Sequence, residues 1–298
     1  MSSQISRFVI PINTAFSIPF NWYDTAGTLD ADVDVVTATA VDAMGDAVTL
    51  GSVADGADGT YTVALPAQSQ PNLITVTLVD SDVTTETRII TVEVTGNTLF
   101  DEADARGRAI KGVNPLADTA AYSDDLIRAG RAQVSDMFEE RTGRSFVRRY
   151  CRAEFAGNGG AFLLASQGRR RTAAGAGVGG VGYGRDVIKV LSATVNGVAV
   201  STDDITVDTY GFYRTSGSWS AAKATDPRNV VIEYEYGLDP VPFTAQEEGL
   251  KLLFVNVVPS DVASRATSMS NEDGTFRLTT FPRTVEEFIM ANDVRSIL

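Results

Sequence analysis

Nine arginines (Arg141, Arg144, Arg148, Arg149, Arg152, Arg169, Arg170, Arg171 and Arg185) lie between residues 141 and 185 against one acid, Glu154. That is a local charge of +8 in a 298-residue chain whose formal net charge is −13. Guanidinium groups pair bidentately with phosphate and with carboxylate. Three readings of the cluster stand side by side. Arg169, Arg170 and Arg171 meet a nucleic-acid backbone, or they meet an acidic face of a partner protein, or the stretch is salt-bridged between copies and otherwise solvated. No base-reading motif accompanies it, so a nucleic-acid contact here would be independent of sequence.

The remaining candidates for chemistry are thin. There is no histidine, which removes the commonest general base and the commonest metal ligand. The single cysteine, Cys151, excludes an internal disulfide and a Cys-cluster metal site, and it reads as a packed thiol. Gly175 to Gly180 fits Gly-x-Gly-x-x-Gly, but three arginines precede it and Gly182 and Gly184 follow, so it lacks the strand and helix of a dinucleotide site. It reads as a hairpin tip. Asp30, Asp32 and Asp34 imitate the start of a calcium loop, yet Val35 and Val41 stand where that loop needs Gly and Glu. Asp124–Asp125 and Asp203–Asp204 are paired carboxylates without an acid/base partner. Phe20, Trp22 and Tyr23 read as sandwich core before they read as a glycan or protein site. These residues predict no catalytic group, no cofactor, no metal and no enzyme.

The elements that must carry these residues fall into two halves. Residues 1–97 hold twelve acids and two bases, a charge of −10, and the remainder carries −3. Such asymmetry marks a boundary. In the first half, Tyr61, Val63 and Leu65, then Ile74, Val76 and Leu78, then Ile90, Val92 and Val94 alternate with polar or small residues. Period two with Asp-Gly turns between the runs predicts about seven short strands and a sandwich. Asp58-Gly59-Thr60-Tyr61 resembles the corner of an immunoglobulin-like domain of the disulfide-free kind. Residues 98–121 read as a linker.

The second half changes period. Ser123 is a good N-cap, Asp124 and Asp125 suit the helix dipole, and Gly143 supplies the stop, which predicts a helix over 123–142. Strands are expected at 144–155, 161–165, 187–195, 205–207, 211–214 and 230–236. Asn196-Gly197 predicts a two-residue hairpin turn. Thr244-x-x-Glu247 and Thr284-x-x-Glu287 read as capping boxes of two further helices. No apolar run reaches membrane-spanning length, and no secretory signal is legible, so a membrane partner is not expected.

Two segments of this half carry a resemblance. They are Glu139-Glu140-Arg141-Thr142-Gly143-Arg144-Ser145-Phe146, which closes the first helix, and Arg228-Asn229-Val230-Val231-Ile232-Glu233-Tyr234-Glu235-Tyr236-Gly237. With Tyr122-Ser123-Asp124 before them, Val195-Asn196-Gly197-Val198 and Trp219 between them, their order resembles the head-to-tail adaptor (head-completion connector) proteins of long-tailed bacteriophages, over about residues 120–298. The Gly/Arg-rich stretch at 157–185 departs from the family pattern.

The resemblance implies an α+β chain. An N-terminal all-β immunoglobulin-like sandwich (1–97) and a linker (98–121) would precede an adaptor core of helices and small antiparallel β elements (122–259) and an extended C-terminal portal-docking arm (260–298). It implies a structural protein of the virion neck, made in the host cytoplasm. A dodecameric ring would sit under the portal, extend the DNA channel and join filled capsid to tail. Its partners would be the portal protein, the next neck or tail-completion protein, other copies of itself and, non-specifically, the genomic DNA. Arg169, Arg170 and Arg171 become candidates for DNA or portal contact. Phe276, Phe281, Phe288 and Ile289 become candidates for portal docking. Arg128, Arg131, Glu139 and Glu140 on the first helix are candidates for pairing between subunits, or else a solvated face. The alternative is a β-sandwich binding module, adhesin-like, on a particle surface.

Overall fold

The structure, a computed structural model, describes residues 7–22, 36–56, 59–80, 87–109, 114–167, 169–170, 186–208, 210–223, 225, 227–257 and 282–293. It is a mixed α+β chain dominated by β-sheet. Contacts divide it into two compact units that are not linear in sequence: residues 1–96 with 149–236, and residues 97–148 with 237–298.

The first unit holds two β bodies. One is built from β1 (Arg7–Pro11), β2 (Phe16–Asn21), β3 (Val36–Val41), β4 (Val53–Asp55), β5 (Thr60–Leu65), β6 (Asn72–Asp80) and β7 (Thr87–Thr95). They form a four-stranded sheet in the order β1-β7-β6-β3, with β1 parallel to β7, and a three-stranded sheet β2-β5-β4. Side chains alternate between faces along a strand. Ile18, Val63 and Leu65 from one sheet therefore join Ile74, Val76, Leu78 and Val92 from the other in a single core. Phe20, Tyr61 and Trp22 complete it, and Arg88 lies 4.8 Å over the Trp22 ring while donating to Asn21 O at 3.1 Å.

The second body follows from β8 (Arg149–Phe155), β9 (Phe162–Leu164), β10 (Arg169–Arg170), β11 (Val187–Val195), β12 (Val198–Ala199), β13 (Ile205–Asp208), β14 (Gly211–Arg214) and β15 (Val230–Tyr236). A five-stranded sheet β10-β8-β15-β11-β12 and a three-stranded sheet β13-β14-β9 close on Phe155, Leu163, Phe212, Trp219, Ile232 and Tyr234. Asn196 (φ 52°) and Gly197 (φ 76°) turn β11 into β12, as the Asn-Gly pair predicts.

The second unit is helical: α1 (Glu102–Gly107), α2 (Asp124–Thr142), α3 (Phe243–Val257) and α4 (Arg283–Asn292). Ser123 Oγ caps α2 by accepting from Leu126 N at 3.3 Å. Gly143 ends it in the left-handed conformation, φ 69°, with its N–H on Glu139 O at 2.8 Å. Ile127, Val134 and Phe138 of α2 pack with Leu250, Leu253 and Phe254 of α3 and Val285 of α4. The helices depart from expectation in three places, the first being that α3 begins at Phe243, so Thr244 lies inside it and does not cap it. The stretch read as a linker, 98–121, includes α1, and Leu99, Phe100 and Leu116 enter the helical core. Pro282, not Thr284, precedes α4, because Thr284 Oγ1 donates instead to Glu248 of α3 at 2.9 Å.

Candidate functional site

Where the side chains of the basic stretch are described, Arg149 is buried and Arg148 and Arg152 are half-buried and paired within the chain. Arg148 reaches Asp239 at 3.4 Å, and its N–H donates to Asn97 Oδ1 at 2.8 Å. Arg149 is 1% exposed and sits 3.3 Å from the equally buried Glu93. Arg7 makes a second ion pair with the same carboxylate. Arg152 Nη1 donates to Ala43 O at 2.9 Å and lies 3.4 Å from Glu233. Arg141 is exposed and Arg144 half-buried. Arg169 and Arg170 form β10, paired to Glu154 and Ala153 of β8. Their side chains, and all of Arg171 and Arg185, lie outside the described residues.

The four side chains expected to pair between subunits occupy different environments. Arg128 bonds Glu102 at 2.8 Å and Asp125 at 3.0 Å. Burial works against its charge, and the Glu102 hydrogen bond together with the charges of Glu102, Asp125 and Asp124 outweighs it, so its pKa stands above the ordinary arginine value. Arg131 is buried and donates to Phe100 O at 3.0 Å, and burial pulls its pKa down. Glu139 is buried and Glu140 exposed. Of the four, only Glu140 is fully exposed; Arg128 is half-buried, because it and Arg131 serve Glu102 of α1 and Phe100 O of the segment before it.

Phe288 and Ile289, expected on a docking arm, pack on the core of their own unit. The Phe288 ring lies 5.2 Å from Phe138 and 5.2 Å from Phe146. Phe276 and Phe281 lie outside the described residues, as do Tyr23, the Asp30–Asp34 stretch and the Gly175–Gly180 stretch. Phe20 and Trp22 are core side chains. Cys151 is buried beside its register partner Tyr234. Asp203 and Asp204 sit in a short 3-10 turn capped by Ser201. Asp124 bonds Arg106, whose hydrogen bond holds its carboxyl below the usual range. Among the described residues no group of three or more His, Cys, Asp or Glu side chains is placed to hold a metal ion.

Sequence reasoning missed a buried polar row on the five-stranded sheet. Glu233 and Glu235 of β15 are 3% and 0% exposed. Ser192 Oγ donates to Glu233 at 2.7 Å, and Lys189 lies 3.1 Å from Glu235. Tyr150 stands opposite Glu235, and burial first, then the negative charge of Glu233, pushes its phenol well above the usual range. The signal was the alternation Glu233-Tyr234-Glu235-Tyr236. A charged residue at every second position ordinarily marks a solvent face, and here both faces are covered.

No protein-family model matches the chain, and no curated protein matches it. Among solved structures, the Lin-41 filamin domain aligns with 32% of this chain and 89% of its own at 14% identity and a TM-score of 0.26.

Proposed function

We propose that this chain is a structural protein of the phage neck, a head-to-tail adaptor that forms a ring under the portal and continues the DNA channel toward the tail. In this reading residues 1–97 are an immunoglobulin-like domain carried by the adaptor, and residues 122–259 are the adaptor core. The reading rests on one observation, the resemblance of the two segments at 139–146 and 228–237.

The residues that carry that resemblance are ones this fold needs individually. Thr142 Oγ1 donates to Phe138 O at 2.7 Å, Ser145 Oγ to Val147 O at 2.8 Å, and Phe146 joins the helical core. The Asn229 amide accepts from Gly157 N at 3.0 Å and donates to Ser220 O at 2.9 Å. Gly237, at φ 108°, passes so close to Val147 that a Cβ would stand 2.0 Å from its carbonyl oxygen. A pattern of such residues is a pattern of fold.

The chain would act by assembly, without a catalytic group or cofactor. Its partners would be the portal protein, the next neck or tail-completion protein and further copies of itself. Arg169, Arg170 and Arg171 would face DNA or portal, and a contact with DNA would be backbone-only and salt-dependent.

Negative-stain microscopy of the purified chain, alone and mixed with the portal protein, tests this. Twelve-fold rings, or rings that form only on the portal, are the expected result. A strict monomer that ignores the portal and binds saccharide would replace the adaptor with the adhesin-like reading.

A further inference from the structure

The two β bodies of the first unit each close a core of their own. The sandwich core runs through Ile18, Val63 and Val92, the second through Phe155, Phe212 and Tyr234, and among the described residues the two apolar clusters remain separate. Among the described residues, the side-chain ion pair and hydrogen bond that join the bodies run from β8 to Glu93 and to Ala43 O, and the apolar Leu73 is buried beside Glu93. Glu93 points away from its own core, since its neighbours Val92 and Val94 fill that core. It is nevertheless 2% exposed, and it pairs with Arg7 of its own sandwich and, at 3.3 Å, with Arg149 of β8. Leu73, its register partner on β6, is covered on the same face. The second tie is Arg152, which donates to Ala43 O in the turn after β3.

A buried ion pair differs from apolar packing in what it does. Taking two charges out of water is costly, and apolar side chains of the same size often stabilise as well or better. Removing one partner is strongly destabilising, because the other charge is left in a dry place. A joint made this way is firm while both charges are present and opens when either is neutralised. Neither Glu93 nor Arg149 belongs to either apolar core.

We infer that Glu93 and Arg149 form a charge latch, by which the N-terminal sandwich is held to the second β body and from which it is released as a folded whole. This stands independently of the ring reading. Oxidative footprinting of the full chain tests it, since that method reads the solvent access of individual side chains. In Glu93→Gln, labelling of Leu73, on the Glu93 face, and of Tyr150, next to Arg149 on β8, is expected to rise severalfold, while Tyr61 and Phe212 in the two cores keep their wild-type labelling. The radius of gyration in solution scattering is expected to rise with it. Wild-type protein in sub-denaturing urea provides the second measurement, should the variant fail to fold. There Leu73 and Tyr150 are expected to become accessible before Tyr61 and Phe212. Unchanged labelling at the joint in a folded variant would overturn the latch. So would labelling of joint and cores that rises together, in either measurement.

Discussion

Asn229 ties two backbone groups and the Asn196 side chain with one side chain. Its carbonyl oxygen takes Gly157 N–H, and its amide nitrogen serves Ser220 O at 2.9 Å and Asn196 Oδ1 at 3.2 Å. The residue is 3% exposed, so water cannot replace these bonds. Asn229→Ala should therefore cost about 2 kcal/mol, read as a lower urea midpoint with unchanged slope. At Asp124 the environment acts through pH. The bond from Arg106 depresses its carboxyl in the folded chain. A depressed carboxylate contributes stability above its unfolded pKa of about 3.9, and that contribution is lost as pH falls through the lower folded value. The urea midpoint of the wild type should thus fall toward that of Asp124→Asn as pH drops from about 5 to about 2. A gap between the two proteins that stays constant with pH would contradict this origin.

Glycine marks two ends at which the elements are most exposed to substitution. At Gly143 the demand is conformational alone. The left-handed φ ends α2 and puts its N–H on Glu139 O, and Gly143→Ala should cost about 1 kcal/mol in thermal or urea unfolding. At Gly237 a positive φ coincides with the approach to Val147 O, so Gly237→Ala should cost several times more. The first of these was legible: Ser123, the two aspartates and Gly143 bracket the helix in the sequence, and strands at 187–195, 211–214 and 230–236 follow from their alternation. What was not legible involves partners far apart in the chain. Glu93 and Arg149 are 56 residues apart, and no local pattern states that the acid of an alternating strand will be covered. The same reason hid Phe100 and Leu116, which look like linker until α2 and α3 give them a surface to cover. The acidic first half likewise looks wholly solvated in the sequence, whereas Glu93 is spent inside.

At the scale of the whole molecule the chain leaves its first unit after Gly96, returns at Arg149 and leaves again after Tyr236. Each unit closes apolar cores with its own residues. Among the described residues the helical core draws on residues 97–148 and 237–298, and the β cores on residues 1–96 and 149–236. Cooperativity in unfolding follows shared apolar burial, and chains with separate cores commonly violate two-state behaviour. Calorimetry of the intact chain should therefore resolve more than one transition. Phe138→Ala removes a ring that is fully buried among α2, Phe146 and Phe288, at a cost of about 3–5 kcal/mol. It should lower the transition of the helical unit and leave that of the β unit in place. Val92→Ala, in the sandwich, should do the reverse with a smaller shift, since a valine surrenders less apolar area. A single transition that both substitutions lower would show that the units unfold as one cooperative body.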